Sequence, residues 1–119
     1  VALTFYWYPK CGTCQKAKKW LVEHDVPFNE VHLVDNPPTK DELKTMVEKS
    51  NLPIKKFFNT SGKKYRELGL KDQLKEASED QMLEWLASDG MLIKRPIVMD
   101  DSKVTVGFKE ETFDQTWNK

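Results

Sequence analysis

The chain has 119 residues, with 19 Lys plus Arg against 19 Asp plus Glu, and only two cysteines. That length suits one domain over 1–119 with a core large enough to fold without staples, and the even charge balance disfavours a general nucleic-acid-binding surface. No apolar run approaches a membrane span and no charged-then-apolar leader opens the sequence, so a cytoplasmic setting with no membrane partner is expected.

Leu3-Thr4-Phe5-Tyr6-Trp7-Tyr8 is aromatic and reads as a buried strand. After it comes Pro9-Lys10-Cys11-Gly12-Thr13-Cys14, which holds both cysteines two residues apart. Gln15 to His24 then reads as a helix, with Ala17, Trp20, Leu21 and His24 near one face. Asn29 to Val34 is a second strand, giving a β-α-β start that predicts a parallel pair. Asp35-Asn36-Pro37-Pro38 is a turn. Thr39 and Glu42 fit a capping box that opens a helix to about Lys49. Pro53 suits the first turn of a short helix carrying Phe57 and Phe58.

Asn59-Thr60-Ser61-Gly62 reads as a polar loop, followed by a short helix around Lys64 to Leu68 that Gly69 ends. Leu70 to Ala77 adds another turn or two. Ser78 and Gln81 fit a second capping box, and the helix through Met82, Leu83, Trp85 and Leu86 is expected to end at Gly90. Pro96 cannot donate within a central strand, so the next strand begins at or just after it. Asp100-Asp101-Ser102 is a hairpin turn, Val104 to Phe108 the return strand, and Lys109 to Trp117 a final helix. The sum is an α/β fold: a mixed sheet of about four strands, with a helical insertion at approximately 39–89 between the β-α-β unit and the C-terminal hairpin and helix.

A strand, a turn and a helix opening at Cys-x-x-Cys is the arrangement of a thioredoxin-like redox site. Helix N-terminal amides favour negative charge, so Cys11 would ionise more readily than a free thiol. Gly12 and Thr13 let the turn fold back so that Cys14 can attack a mixed disulfide on Cys11. Three other readings compete. A disulfide this short restricts the unfolded chain little. A zinc half-site needs two more ligands, and His24 and His32 form no second knuckle. Two inert core thiols are the third.

The basic residues comprise 17 lysines and two arginines, Arg66 and Arg95, so a planar grip on an anion falls to those two. If Pro96 is cis, Arg95 sits beside Cys11 and favours its thiolate. Lys10 could add to that field or be merely solvated, and Thr13 could donate to Cys11 or be a turn residue. Asn59, Ser61 and Arg66 are weaker candidates. His24 and His32 read as helix-end and strand residues, and Trp20, Trp85 and Trp117 as packing positions.

Tyr8-Pro9-Lys10-Cys11-Gly12-Thr13-Cys14, Asn36-Pro37-Pro38-Thr39, Tyr65-Arg66-Glu67-Leu68-Gly69-Leu70 and Leu92-Ile93-Lys94-Arg95-Pro96-Ile97-Val98 together resemble the ArsC/Spx family. That family groups glutaredoxin-dependent arsenate reductases with Spx/MgsR-type transcription regulators. Phe57-Phe58-Asn59-Thr60-Ser61-Gly62 and Ser88-Asp89-Gly90-Met91-Leu92 are similar to small arsenate-reductase-like members. The resemblance implies a thioredoxin-like fold with a helical insertion. For the reductases it implies Cys11 as nucleophile and Arg95 as one of three arginines around an oxyanion. The other two arginine positions fall on Asn59 and near Phe108, and the position that is often serine in the reductases is Cys14. For the regulators it implies a redox switch at Cys11 and Cys14 and a surface that docks the RNA polymerase α-subunit through its C-terminal domain. A glycine of that surface falls near Pro53 here.

The leading expectation is a thiol-disulfide oxidoreductase with Cys11, Cys14 and Arg95 as catalytic residues and Gly12, Thr13, Asn59 and Pro96 at the substrate. It needs no metal or prosthetic group, and glutathione, glutaredoxin or thioredoxin restores the dithiol. The alternatives are a redox-sensing regulator that binds the polymerase α-subunit, and an interaction domain whose cysteines do not turn over.

Overall fold

A computed structural model describes residues 3–118 of the chain. Its centre is strand β1 (Leu3–Trp7), aromatic because both of its faces are covered. The sheet order is β2-β1-β3-β4, with β2 (Phe28–His32) parallel to β1, and β3 (Ile97–Met99) and β4 (Val104–Val106) antiparallel. One face packs Leu3, Phe5 and Val98 against Ala17, Trp20 and Leu21 of helix α1 (Gly12–Glu23) and Phe113 of helix α6 (Glu110–Thr116). The other face packs Tyr6, Ile97 and Val104 against the helical insertion. This is the mixed four-stranded, thioredoxin-like arrangement with a helical insertion that the sequence predicts.

The insertion holds α2 (Lys40–Ser50), a 3-10 turn (Ile54–Phe57), α3 (Lys63–Glu67), α4 (Leu70–Gln73), α5 (Glu79–Ser88) and a second 3-10 turn (Gly90–Leu92). Thr39 caps α2 with the full reciprocal box: its hydroxyl accepts from Glu42 N at 3.1 Å, and Glu42 Oε1 accepts from Thr39 N at 2.9 Å. At α5 only the forward half forms, with Ser78 Oγ accepting from Gln81 N at 3.1 Å. Among the described residues no helix is long and apolar enough to cross a membrane.

Several boundaries differ from the sequence reading, each for a local reason. Helix α1 starts at Gly12 rather than Gln15, because Cys11 is its cap and Gln15 N already donates to Cys11 O at 3.1 Å. Apolar periodicity begins only at Ala17 and cannot see that first turn. Strand β2 stops at His32, whose Nδ1 accepts from Val34 N and Asp35 N and bends the chain away. Pro53 caps the 3-10 turn instead of lying in it, and Phe58 bridges to Ile93. Between Leu70 and Ala77 the α-helix covers only Leu70–Gln73. Strand β4 ends at Val106 because Gly107 takes a φ of +82°, which redirects the chain toward α6.

Gly90 is the largest reinterpretation. It does not terminate α5, which ends at Ser88. Asp89 caps the following 3-10 turn by accepting from Met91 N at 2.8 Å. Gly90 is buried there because the backbone of Leu33 passes against it: a Cβ would lie 2.1 Å from Leu33 O. The residue is needed for close approach, and that approach anchors the loop leading to Arg95.

Candidate active site

Three segments meet at one end of the sheet: the turn from Tyr8 to Cys14, the loop from Gly90 to Pro96, and the end of β4. The turn is closed by Cys11 N donating to Tyr8 O at 2.9 Å and by Gln15 Nε2 donating to Pro9 O at 2.7 Å. Cys11 is half-buried, Cys14 is fully buried, and both are free thiols. Cys11 occupies the α1 cap without a cap hydrogen bond of ordinary length, yet the N–H groups of Cys14 and Thr13 face its sulfur closely enough to favour the thiolate.

The two thiols are pushed apart in acidity. Burial alone would raise Cys11, but the N–H and thiol of Cys14, the charge of Arg95 and the N–H of Thr13 outweigh it, so Cys11 lies below an ordinary thiol. Cys14 is pushed up to about 12, chiefly by burial and by the adjacent Cys11, which the Tyr8 backbone and Arg95 do not offset. The accessible sulfur of the pair therefore ionises before the hidden one.

Arg95 reaches this site from the loop before Pro96, across a cis Arg95–Pro96 bond. Its Nη1 donates to Ile93 O at 3.2 Å and Met91 O at 3.5 Å, and its guanidinium lies over the Tyr8 ring, 5.2 Å from the centroid. The edge of the His32 ring meets Tyr8 on a centroid distance of 5.6 Å. Arg95 Nε is buried with no hydrogen-bond partner among the described residues. Among the described residues no carboxylate pairs with Arg95, so its charge remains available to the thiol or to an anion.

A cleft of about 870 Å³ opens here, and Cys11, Thr13, Asn59, Ser61 and Arg95 share its wall. Pro96 is buried below the wall, where its carbonyl accepts from Gly107 N at 2.8 Å and ties the Arg95 loop to the end of β4. Gly12 lies exposed on the first turn of α1, and Lys10 and Arg66 are exposed away from the cleft. Asn59 is partly committed to its own loop: its N donates to Leu92 O at 2.8 Å, and its Oδ1 accepts from Ser61 Oγ at 3.4 Å. His24 closes α1 by stacking on Trp20, and His32 packs against Tyr8 with its Nδ1 accepting from Val34 N and Asp35 N. Among the described residues no three His, Cys, Asp or Glu side chains gather as metal ligands.

Sequence reasoning missed four participants. Tyr8 carries the Arg95 guanidinium, and its only signal is an aromatic ring directly before the cysteine turn. Lys56, Lys94 and Lys109 also line the cleft, and nothing distinguishes them in sequence from the other lysines. Phe108, near which the sequence alignment sets one of the reductase arginine positions, lines it too.

The family model described as ArsC family matches residues 6–116. The chain is 65% identical over 117 residues to the uncharacterized protein YusI of Bacillus subtilis (strain 168), covering 98% of this chain and 99% of that one. It is 36% identical over 106 residues to the regulatory protein MgsR of the same organism, covering 89% and 82%. An ArsC family related protein from Bacteroides fragilis superimposes with a TM-score of 0.94 at 45% identity, covering 97% of each chain. The chain belongs to the ArsC family, in the grouping that includes the Spx- and MgsR-type proteins, and its fold is thioredoxin-like.

Proposed function

We propose that this protein is a cytoplasmic thiol-disulfide oxidoreductase with Cys11 as nucleophile, Cys14 as resolving thiol and Arg95 as the charge that favours the thiolate. The Cys11 thiolate attacks a substrate disulfide, forming a mixed disulfide and releasing one substrate thiolate. Cys14 then gives up its proton and attacks the Cys11 sulfur. That step releases the second substrate thiol and leaves a Cys11–Cys14 disulfide, so two electrons have passed to the substrate. Glutathione, glutaredoxin or thioredoxin returns two electrons and two protons to restore the dithiol. Thr13 and Asn59 border the approach to Cys11, while Gly12 and Pro96 shape the turn and loop around it.

The observation that carries this reading is the placement of an accessible Cys11 and a buried Cys14 at one helix start, with Arg95 brought to the same cleft. An oxidised sulfur substrate suits the site better than arsenate, because Asn59 and Phe108 stand where the reductase pattern places two arginines. The test is a redox titration of the pair in glutathione buffers, with Cys11→Ser and Cys14→Ser as controls. A reversible two-electron transition between roughly −200 and −270 mV supports the reading. Thiols that stay reduced throughout that range overturn it.

A second reading follows from the 36% identity to the regulatory protein MgsR. In it the same pair is a switch, and the oxidised or reduced form binds the C-terminal domain of the RNA polymerase α-subunit. Pulldown with that domain in both redox states decides it, and absence of binding in both removes the regulator.

A further inference from the structure

Strand β4 is an outer strand of the sheet, and its free edge faces the cleft. In the β3–β4 ladder, Gly107 N donates to Pro96 O at 2.8 Å and Asp100 N donates to Lys103 O at 3.0 Å, flanking a register that sets Val98 opposite Thr105. Antiparallel pairs alternate, so Thr105 is the residue bonded to β3 between them. The N–H and C=O of Val104 and Val106 therefore point outward, and among the described residues neither has a hydrogen-bond partner on the side away from β3. The cleft follows this edge: every residue from Val104 to Phe108 lines it. Ser50 and Leu52 wall it on the side of the insertion, and Thr112 and Thr116 on the side of α6. Cys11 and Arg95 lie where the cleft meets the end of the strand.

Its charge is one-sided. Lys56, Lys94, Arg95 and Lys109 line the cleft and no Asp or Glu does, in a chain whose formal net charge is zero. Among the described residues none of these four cations takes part in an ion pair. Lysines beside an edge strand guard it against pairing with another copy of itself, since like edges repel. They do not exclude an acidic strand. A backbone template flanked only by cations selects an extended segment whose side chains are acidic.

We propose that the β4 edge docks an extended acidic segment of a partner protein by strand addition to Val104 and Val106. On the oxidoreductase reading, this segment is the substrate's approach, holding its disulfide at the Cys11 end of the cleft. The docking itself requires no thiol chemistry.

The test uses the full chain and a blocked, cysteine-free peptide of alternating glutamate and valine, followed by NMR. Saturable binding is expected, with the Val104 and Val106 amides protected from hydrogen exchange in the complex. A matched lysine–valine peptide is expected to bind at least tenfold more weakly. A Lys94→Glu/Lys109→Glu variant is expected to lose at least tenfold in affinity for the acidic peptide while its thermal melt stays close to that of the parent. Failure of the acidic peptide to bind, or binding without protection of those two amides, overturns strand addition. Equal binding of the lysine peptide overturns the charge argument. Displacement by succinate at matching concentration makes the cleft a small-anion site, and a dimer sealed through β4 makes the occupant a second copy; either result overturns the proposal. Because the probe has no cysteine, a negative redox titration and a negative docking result remain separate findings.

Discussion

Gly90 links the packing of the insertion to the placement of Arg95, and replacing it with alanine tests that link. A Cβ at residue 90 would lie 2.1 Å from Leu33 O, 2.7 Å from Leu33 C and 3.0 Å from Val34 Cα. All three atoms are backbone, so no side chain can swing aside. Ordinary contact begins at 3.4 Å, so either the Leu33–Val34 segment or the 90–92 turn must retreat by at least 1.3 Å, in a core that packs without slack. Overpacking of this kind costs about 3 kcal/mol. A chain of this length loses about 4 °C of Tm per kcal/mol, so the melt is expected to fall by about 12 °C. Gly12→Ala is the matched control: beyond its chain neighbours and its own helix backbone, its Cβ would meet nothing within 4 Å among the described residues, and it lies in the first turn of α1, so its Tm is expected to hold or rise. Urea and thermal unfolding of the three proteins, followed by far-ultraviolet circular dichroism, give the comparison. The same displacement moves the Met91 and Ile93 carbonyls that hold Arg95, so Gly90→Ala is also expected to raise the pKa of Cys11 toward that of a free thiol. A Gly90→Ala variant within about 0.5 kcal/mol of the parent would refute the close-approach argument.

Other consequences are equally direct. Trp117 Nε1 donates to Thr105 Oγ1 at 3.0 Å in a buried setting, so Thr105→Val should cost about 1–3 kcal/mol in urea unfolding while Thr105→Ser keeps most of the stability. Thr39→Ala removes the cap and the box at α2 and should cost about 1 kcal/mol, and an unchanged urea midpoint would show that the box contributes nothing. Cys14 titrates near 12 when folded and near the ordinary thiol value of 9.0 when unfolded. Below the unfolded value both states keep the proton. Above it the unfolded chain releases the proton while the native state retains it, so this contribution is lost as pH rises from about 9 to about 12. Cys14→Ser should therefore flatten the fall in stability from about pH 9 to about pH 11, and an equal slope in parent and variant would contradict the assignment.

Much of the fold was legible because local chemistry and tertiary packing agree. The aromatic run at Leu3–Trp7 fits a central strand covered on both faces, Thr39 and Glu42 form the box they announce, and Pro96 sits immediately before β3 as its missing N–H requires. The site was legible in part for the same reason, since Cys-x-x-Cys at a helix start and an arginine before a late proline are local signals. What escaped was set by contacts distant in sequence. Gly90 reads as a helix terminator until the Leu33 backbone is placed against it. Tyr8 becomes the platform for Arg95 only when the loop before β3 folds back. The cationic cleft draws Lys56, Lys94 and Lys109 from three separate segments, and a zero net charge conceals their clustering.

If the fold activates Cys11, the pH dependence of its alkylation must show it. Iodoacetamide reaction rates would be followed in a Cys14→Ser background, once in the native protein and once in urea, so that the same residue serves as its own reference. The native midpoint is predicted to fall below the unfolded one, and to return toward it when Arg95→Met is added. A native midpoint equal to or above the unfolded value would contradict the account, leaving Cys11 an ordinary thiol at the start of a helix.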